Sequence, residues 1–195
     1  MTRRVAIIQG HPDASRVHLC HALAEAYAQG ARAGGHDVRA INVAELEFPM
    51  LRSKAAFETG ALPASLAPSQ AAIGQADHLL IVYPLWLGTM PALLKAFLEQ
   101  VFRPGFAFQL GDAGRFWKRP LKGKSARIVV TMGMPVFFYR WYFGAHGLKS
   151  LERSILGFAG IGPIRESLFG TIEQASEAKR KAWLARLRRL GTGAA

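Results

Sequence analysis

Cysteine is nearly absent from this chain: Cys20 stands alone among 195 residues. One thiol cannot close an internal disulfide, so the cystine-braced class of small secreted domains is excluded and a reducing cytoplasm is the expected setting. Long hydrophobic runs are missing as well. No apolar stretch approaches the roughly 20 residues of a membrane-crossing helix. The first apolar run, directly after Thr2-Arg3-Arg4, is too short for the core of a signal peptide. Acidic residues are few, 13 Asp and Glu against 25 Lys and Arg, which leaves a formal net charge of +12. Such a surplus attracts nucleic acid, an anionic membrane surface or small anions. No helix-turn-helix, zinc-finger or RNA-recognition pattern accompanies it, so no nucleic-acid partner is expected. Much of the charge sits at Lys179, Arg180, Lys181, Arg186, Arg188 and Arg189. Ile172, Trp183, Leu184, Leu187 and Leu190 can supply the apolar stripe there, leaving the charges as a solvated face. Internal repeats and low-complexity tracts are absent too.

Half of the residues are hydrophobic, which excludes a disordered chain, and the length suits a single domain over 1–195. Its centre is the stretch His78 to Phe108. Leu79-Leu80-Ile81-Val82-Tyr83 has the length and character of a buried strand. Pro84 ends it, Gly88 and Pro91 bracket a tight loop, and Pro91 suits the first turn of a helix. From Ala92 to Val101 the residues Leu93, Leu94, Phe97, Leu98 and Val101 recur every three or four positions, so one helical face is buried. The loop between strand and helix carries Leu85, Trp86, Leu87 and Met90, although loops are ordinarily polar. In an open α/β sheet the carboxyl end of a strand is where ligands bind, and an apolar loop there points to a flat, hydrophobic one.

The rest of the chain alternates in the same way. Arg4–Gln9 reads as a strand, Val17–Ala33 as a helix stopped by Gly34-Gly35, and Asp37–Val43 as a second strand. Glu45 to Pro68 is an irregular excursion with about one helical turn, followed by a short helix over Ser69–Ala76. Arg103 to Lys124 is a long loop bearing Phe106, Phe108, Phe116 and Trp117. Loops of that length in compact domains usually serve function. A strand over Ala126–Met132 leads to an aromatic loop from Gly133 to Gly147. A helix over Leu148–Phe158, a strand over Ile164–Gly170 and a basic helix over Glu173–Leu190 close the chain. Strand–helix–strand units of this length make parallel, right-handed crossovers. The expected fold is α/β, a doubly wound five-stranded parallel sheet with helices on both faces. After the first strand comes Gly10-His11-Pro12-Asp13-Ala14-Ser15, not the G-x-G-x-x-G dinucleotide fingerprint. A serine-bearing loop at a helix start can still hold a phosphate, so a flavodoxin-like sheet fits better than a Rossmann sheet.

Three segments together resemble the flavodoxin-like NAD(P)H:quinone oxidoreductases, a family that includes mammalian quinone reductases, bacterial modulators of drug activity and ancillary proteins of potassium efflux. They are His11-Pro12-x-x-Ser15; Tyr83-Pro84-Leu85-Trp86 through Met90-Pro91-Ala92-Leu93-Leu94-Lys95 to Gly105-Phe106-Ala107-Phe108; and Thr131-Met132-Gly133 through Tyr139 to His146-Gly147. The chain looks like a compact bacterial member, without the C-terminal extension of the large mammalian ones. The resemblance implies a non-covalent flavin, FMN as first choice and FAD as the near alternative. His11, Ser15, Arg16 and Val17 would hold the flavin phosphate. Pro84, Leu85, Trp86 and Leu87 would run along the ring edge, with backbone N–H groups on its polar atoms and Trp86 as a wall. Thr131, Met132, Gly133 and Tyr139 would pass its other side. Tyr139 and His146 match the pair that handles charge on the reduced flavin and the hydroquinone, spaced one residue wider here. His18 stands where the family often has Asn, and Met134 takes the place of a second glycine.

The implied activity is two-electron reduction of quinones by a ping-pong mechanism, with NAD(P)H as donor and the basic surface favouring NADPH. A homodimer with the site built across it is implied as well, and the aromatic run Phe137–Phe143 suits either a substrate pocket or a dimer interface. The alternative is a regulatory flavoprotein subunit bound to a potassium-efflux-type membrane transporter. A plain electron-carrier flavodoxin would be acidic, which this chain is not. No metal is expected at His18, Cys20 and His21, since helix neighbours one to three residues apart do not converge on a point and a fourth ligand is wanting. Lys95 reads as a solvated or interface charge.

Overall fold

A computed structural model describes residues 1–110 and 117–195; Phe116, expected in the long aromatic loop, lies outside them. The strands β1 (Arg4–Gln9), β2 (Asp37–Asn42), β3 (His78–Pro84), β6 (Ser125–Thr131) and β7 (Ile164–Phe169) form one sheet in the order β2-β1-β3-β6-β7. Every pairing is parallel, as the alternation of strand and helix expects. All seven residues of β3 are buried. A strand covered on both faces has no polar side to show, hence its continuous apolar run.

Alternate residues send side chains to opposite faces, and the core accordingly divides in two. Ala6, Ile8, Ile81 and Tyr83 pack with Leu94 and Phe97 of α4 (Ala92–Val101) on one face. Val5, Ile7, Leu80 and Val82 pack with α1 (Leu19–Ala33) and with Leu187 of α7 (Glu177–Thr192) on the other. The expected apolar stripe of α7 faces inward, with Trp183, Leu184 and Leu190 half-buried beside Leu187. α1 and α7 approach backbone to backbone. A Cβ added at Gly30 would lie 1.9 Å from the Arg188 carbonyl oxygen, and one at Gly191 would lie 2.1 Å from that of Tyr27.

Several boundaries differ from the sequence expectation, each for a local reason. α1 begins at Leu19 rather than Val17, because the His18 N–H donates to Nδ1 of His21 (3.1 Å) and the chain turns there. α7 begins at Glu177 rather than Glu173, where the Ser176 hydroxyl accepts the Lys179 N–H and caps the helix. The excursion after β2 holds α2 (Lys54–Glu58) and leads into α3 (Ala67–Gln75). Two buried polar side chains at the end of α4 fasten it. Gln100 Nε2 donates to the Pro49 carbonyl (2.6 Å), and Arg103 donates to those of Gly60 (2.6 Å) and Ala61 (3.2 Å).

Two expected loops contain regular structure. The 103–124 segment includes a short antiparallel pair, β4 (Gln109–Leu110) with β5 (Trp117–Lys118). The 133–147 segment holds α5 (Val136–Trp141) and the start of α6 (His146–Lys149), which runs on as a π-helical stretch over Ser150–Gly157. Exposed aromatics at Phe137, Phe138, Trp141 and Tyr142 erase the apolar–polar period by which a helix is read. Among the described residues, no helix is long and apolar enough to cross a membrane.

Candidate active site

The strand order reverses direction at β1: β2 lies to one side of it and β3 to the other. Such a switch point opens a crevice at the carboxyl ends of the strands, and the expected loops meet there. The first leaves β1 at Gly10 and ends where α1 begins. His11 is buried, and its ring stacks on His18 with centroids 3.8 Å apart and lies 6.4 Å from Trp86 of the second loop. His11 Nδ1 accepts the Asp13 N–H (3.1 Å) and His21 Nδ1 accepts that of His18, so each neutral imidazole carries its proton on Nε2. Burial, reinforced by His18 and His21, lowers the His11 pKa to about 4. Asp13 lies well below the usual carboxylate range, held there by the Ser15 hydroxyl (2.5 Å), the Ser15 N–H (2.8 Å) and His18 Nε2 (2.7 Å). Ser15, Arg16 and Val17 are all exposed, and Arg16 lies 3.9 Å from Asp13.

In the second loop Pro84 is buried, Leu85 half-buried, Trp86 51% exposed and Leu87 fully exposed. Half exposure at a strand end keeps Trp86 out of the core. The Leu85 N–H already donates to Thr131 (2.8 Å), and Trp86 and Thr89 exchange both main-chain bonds across a tight turn (2.9 and 3.0 Å). Leu87 and Gly88 at its tip have φ of 46° and 80°, the signs of a type I′ turn. The expectation of ring contacts from this loop therefore narrows: among the described residues, the N–H groups at the tip of the turn, those of Leu87 and Gly88, have no hydrogen-bond partner. Gly88 was not foreseen as a binding residue, although a glycine at the tip of a turn was the available signal.

The third loop follows β6. Thr131 and Met132 are buried; the Thr131 hydroxyl meets Cys20 Sγ (3.1 Å), and the Met132 N–H donates to Phe169 (2.8 Å). Gly133 is exposed. Tyr139 on α5 is 1% exposed, its hydroxyl accepting the Leu148 N–H (3.2 Å) and donating to the Gly88 carbonyl (3.4 Å). Burial raises its pKa. His146 is exposed at the start of α6, and no hydrogen bond joins it to Tyr139. Burial pushes the Cys20 thiol up to about 12, so it is inert. Among the described residues no group of three or more His, Cys, Asp or Glu is arranged to hold a metal ion.

Sequence reading missed a groove of about 300 Å³ running from the first loop to the start of α7, lined by Arg16, Val17, His18, Ile172, Glu173 and Arg180. Its two walls are distant in sequence, so no motif announces it. A more apolar cavity of about 310 Å³, lined by residues such as Phe57, Leu98, Phe102 and Ile155, shares no lining residue with the three loops. The loops carry the polar chemistry.

The crevice suits a flavin. At one end lie the Ser15 hydroxyl and N–H, which here donate to Asp13, the exposed Arg16 guanidinium and the start of a 15-residue helix, groups that a phosphate takes once Ser15 turns to it from Asp13. An indole and two uncommitted N–H groups lie at the other, as the rim of a polar aromatic ring requires. Gln9 Nε2 at the end of β1 and the Tyr83 hydroxyl at the end of β3 are buried without a hydrogen-bond partner, a cost usually met by a ligand or water.

Comparison with known proteins identifies the fold. A family described by its flavodoxin-like fold matches residues 3–190. An uncharacterised NAD(P)H oxidoreductase of Haemophilus influenzae is 29% identical over 185 residues, which cover 91% of this chain and 89% of that protein. Human ribosyldihydronicotinamide dehydrogenase [quinone] is 30% identical over 141 residues, 68% of this chain and 60% of the human protein. An FMN-dependent NADH-azoreductase of Bacillus anthracis, solved with FMN, superposes with a TM-score of 0.75 at 16% identity, over 99% of this chain and 98% of that one.

Proposed function

Starting from a chain that belongs to the flavodoxin-like family of NAD(P)H:quinone oxidoreductases, we propose that it carries a flavin in the crevice and passes two electrons from NAD(P)H to a quinone in the cytoplasm. The observation that carries this reading is the meeting of the three loops at the switch point. There the His11 ring lies 6.4 Å from the exposed Trp86 indole, so the loop that bears Ser15 and Arg16 adjoins the one that bears the indole.

When bound, the flavin supplies the redox chemistry; the chain supplies the rest. Ser15 and Arg16 hold the phosphate, with the N-terminal dipole of α1 behind them. Trp86 would stand against the ring, and the Leu87 and Gly88 N–H groups would bond its polar rim, where donors steady negative charge. One site serving donor and acceptor in turn would give ping-pong kinetics. The acceptor's oxygens would meet His146, exposed at the start of α6. Phe137, Trp141 and Tyr142 stand exposed on α5, an apolar surface that a second copy of the chain would cover.

FMN satisfies the phosphate loop. A second reading, FAD, is favoured by one observation: a groove of about 300 Å³ continues from that loop and brings the Arg16 and Arg180 guanidiniums together beside Glu173.

The test is an absorbance spectrum of the purified protein, followed by anaerobic NADPH and then a quinone. A flavin spectrum that bleaches with NADPH and returns with quinone is expected. Chromatography of the heat-released cofactor separates FMN from FAD. Protein that takes up neither flavin when supplied would sink the proposal.

A further inference from the structure

Two segments far apart in sequence touch at the tip of the second loop. A Cβ placed on Gly147 would lie 2.3 Å from the carbonyl oxygen of Gly88, 2.7 Å from Cα of Thr89 and 2.8 Å from its Cβ. The first two are backbone atoms and cannot swing aside, so only glycine lets the start of α6 come this close. Beside that contact the Tyr139 hydroxyl bridges the Gly88 carbonyl and the Leu148 N–H. The connection that delivers Gly147 is itself tightly bent, with positive φ at Gly144 (61°) and Ala145 (51°).

The turn these atoms touch holds Leu87 at a φ of 46°, a region that branched L residues rarely enter. Leu87 cannot hold itself there, since its side chain is fully exposed. Besides the paired Trp86 and Thr89 main-chain bonds within the turn, support comes from its far side, where Gly147 packs against Gly88 and Thr89 and Tyr139 hydrogen-bonds to Gly88.

We propose that Gly144 to Leu148 is a clamp on the second loop, with Gly147 and Tyr139 as positioning residues for the flavin ring. The clamp keeps the turn in the one shape that leaves the Leu87 and Gly88 N–H groups uncommitted, so the donors are in place before the ring arrives. Tyr139 acts through Gly88 and not by touching the reacting atoms. The inference rests on the flavin reading above and assigns a duty that reading leaves open.

The test titrates apoprotein with FMN and with riboflavin, which lacks the phosphate, following flavin fluorescence and the visible absorption band of the bound ring. Gly147→Ala is expected to weaken both flavins by a common factor of about ten or more. Tyr139→Phe removes both hydrogen bonds of the hydroxyl; losing the one to Gly88 should weaken both flavins by about five- to tenfold and shift the ring's absorption band. Ser15→Ala, at the other end of the crevice, should weaken FMN and leave riboflavin unchanged. Wild-type affinity for both flavins in folded Gly147→Ala and Tyr139→Phe proteins would overturn the clamp, and so would a loss confined to FMN. If Gly147→Ala does not fold, Tyr139→Phe, which adds no atom, decides alone. Wild-type apoprotein that binds neither flavin would remove the flavin reading and the clamp together; wild-type binding with unaffected variants removes only the clamp.

Discussion

His78 and His11 are imidazoles that the fold holds neutral, at opposite ends of the parallel strands. His78, at the start of β3, is 1% exposed; its Nδ1 meets the Ser125 hydroxyl (2.8 Å) and its ring stacks on Tyr27. Burial lowers its pKa from 6.5 to about 4, with Arg3, Arg127 and Arg165 adding to the effect. His11 is lowered similarly. The folded chain therefore binds fewer protons than the unfolded one between these values. Stability is whole above about pH 6.5 and is lost as pH falls toward 4. For His78 the loss by pH 4.5 amounts to about 2–3 kcal/mol. Urea midpoints at pH 7.5 and 4.5 should separate by more in the wild type than in His78→Asn; equal separations would show that the imidazole does not titrate this way. The importance of His11 was legible because it sits in a motif. That of His78 was not, because nothing in a strand's apolar run says which polar atom its ring will meet.

At the scale of elements, α1 and α7 meet backbone to backbone. Gly30→Ala should destabilise the chain by about 2 kcal/mol, since the added Cβ meets a backbone carbonyl at 1.9 Å and overpacking outweighs the gain in helix propensity. Urea denaturation measures it, and a stabilised variant would mean that the helices can part at no cost. Both helices were readable from their apolar stripes, whereas the need for glycine at their crossing was not. α5 shows the converse. Its exposed Phe137, Trp141 and Tyr142 suggested a loop, because periodicity reports burial against this chain alone. The excursion after β2 likewise looked unanchored. Its ties to Gln100 and Arg103 run to backbone carbonyls, which every residue type possesses.

For the whole molecule the untested expectation is the homodimer. Trp141, 87% exposed, is the residue whose exposure a second copy would most relieve. Sedimentation velocity should find a dimer in the wild type and a shift toward monomer in Trp141→Asp, with the circular dichroism unchanged. A wild type that sediments as a monomer at tens of micromolar would refute the dimer. The +12 charge works at this scale too. It draws anionic nicotinamide donors through a field that salt screens within about 8 Å at physiological ionic strength, so the KM for NADPH should rise with added salt. A flat response would place the donor's recognition in local contacts alone.

The amino-acid order by itself determined the alternation of strands and helices, the fully buried β3, and the three loops that carry the candidate site. Each of these is written in local patterns of burial and in short motifs that need no distant partner. Only the tertiary structure decided that Leu85 and Trp86 spend their N–H groups within the protein while Leu87 and Gly88 do not. It also decided that Arg16 and Arg180 share a groove and that Gly147 rests on Gly88. Those facts depend on where backbones far apart in the chain come to lie, and a contact between two main chains leaves no periodic trace in the side chains that flank it.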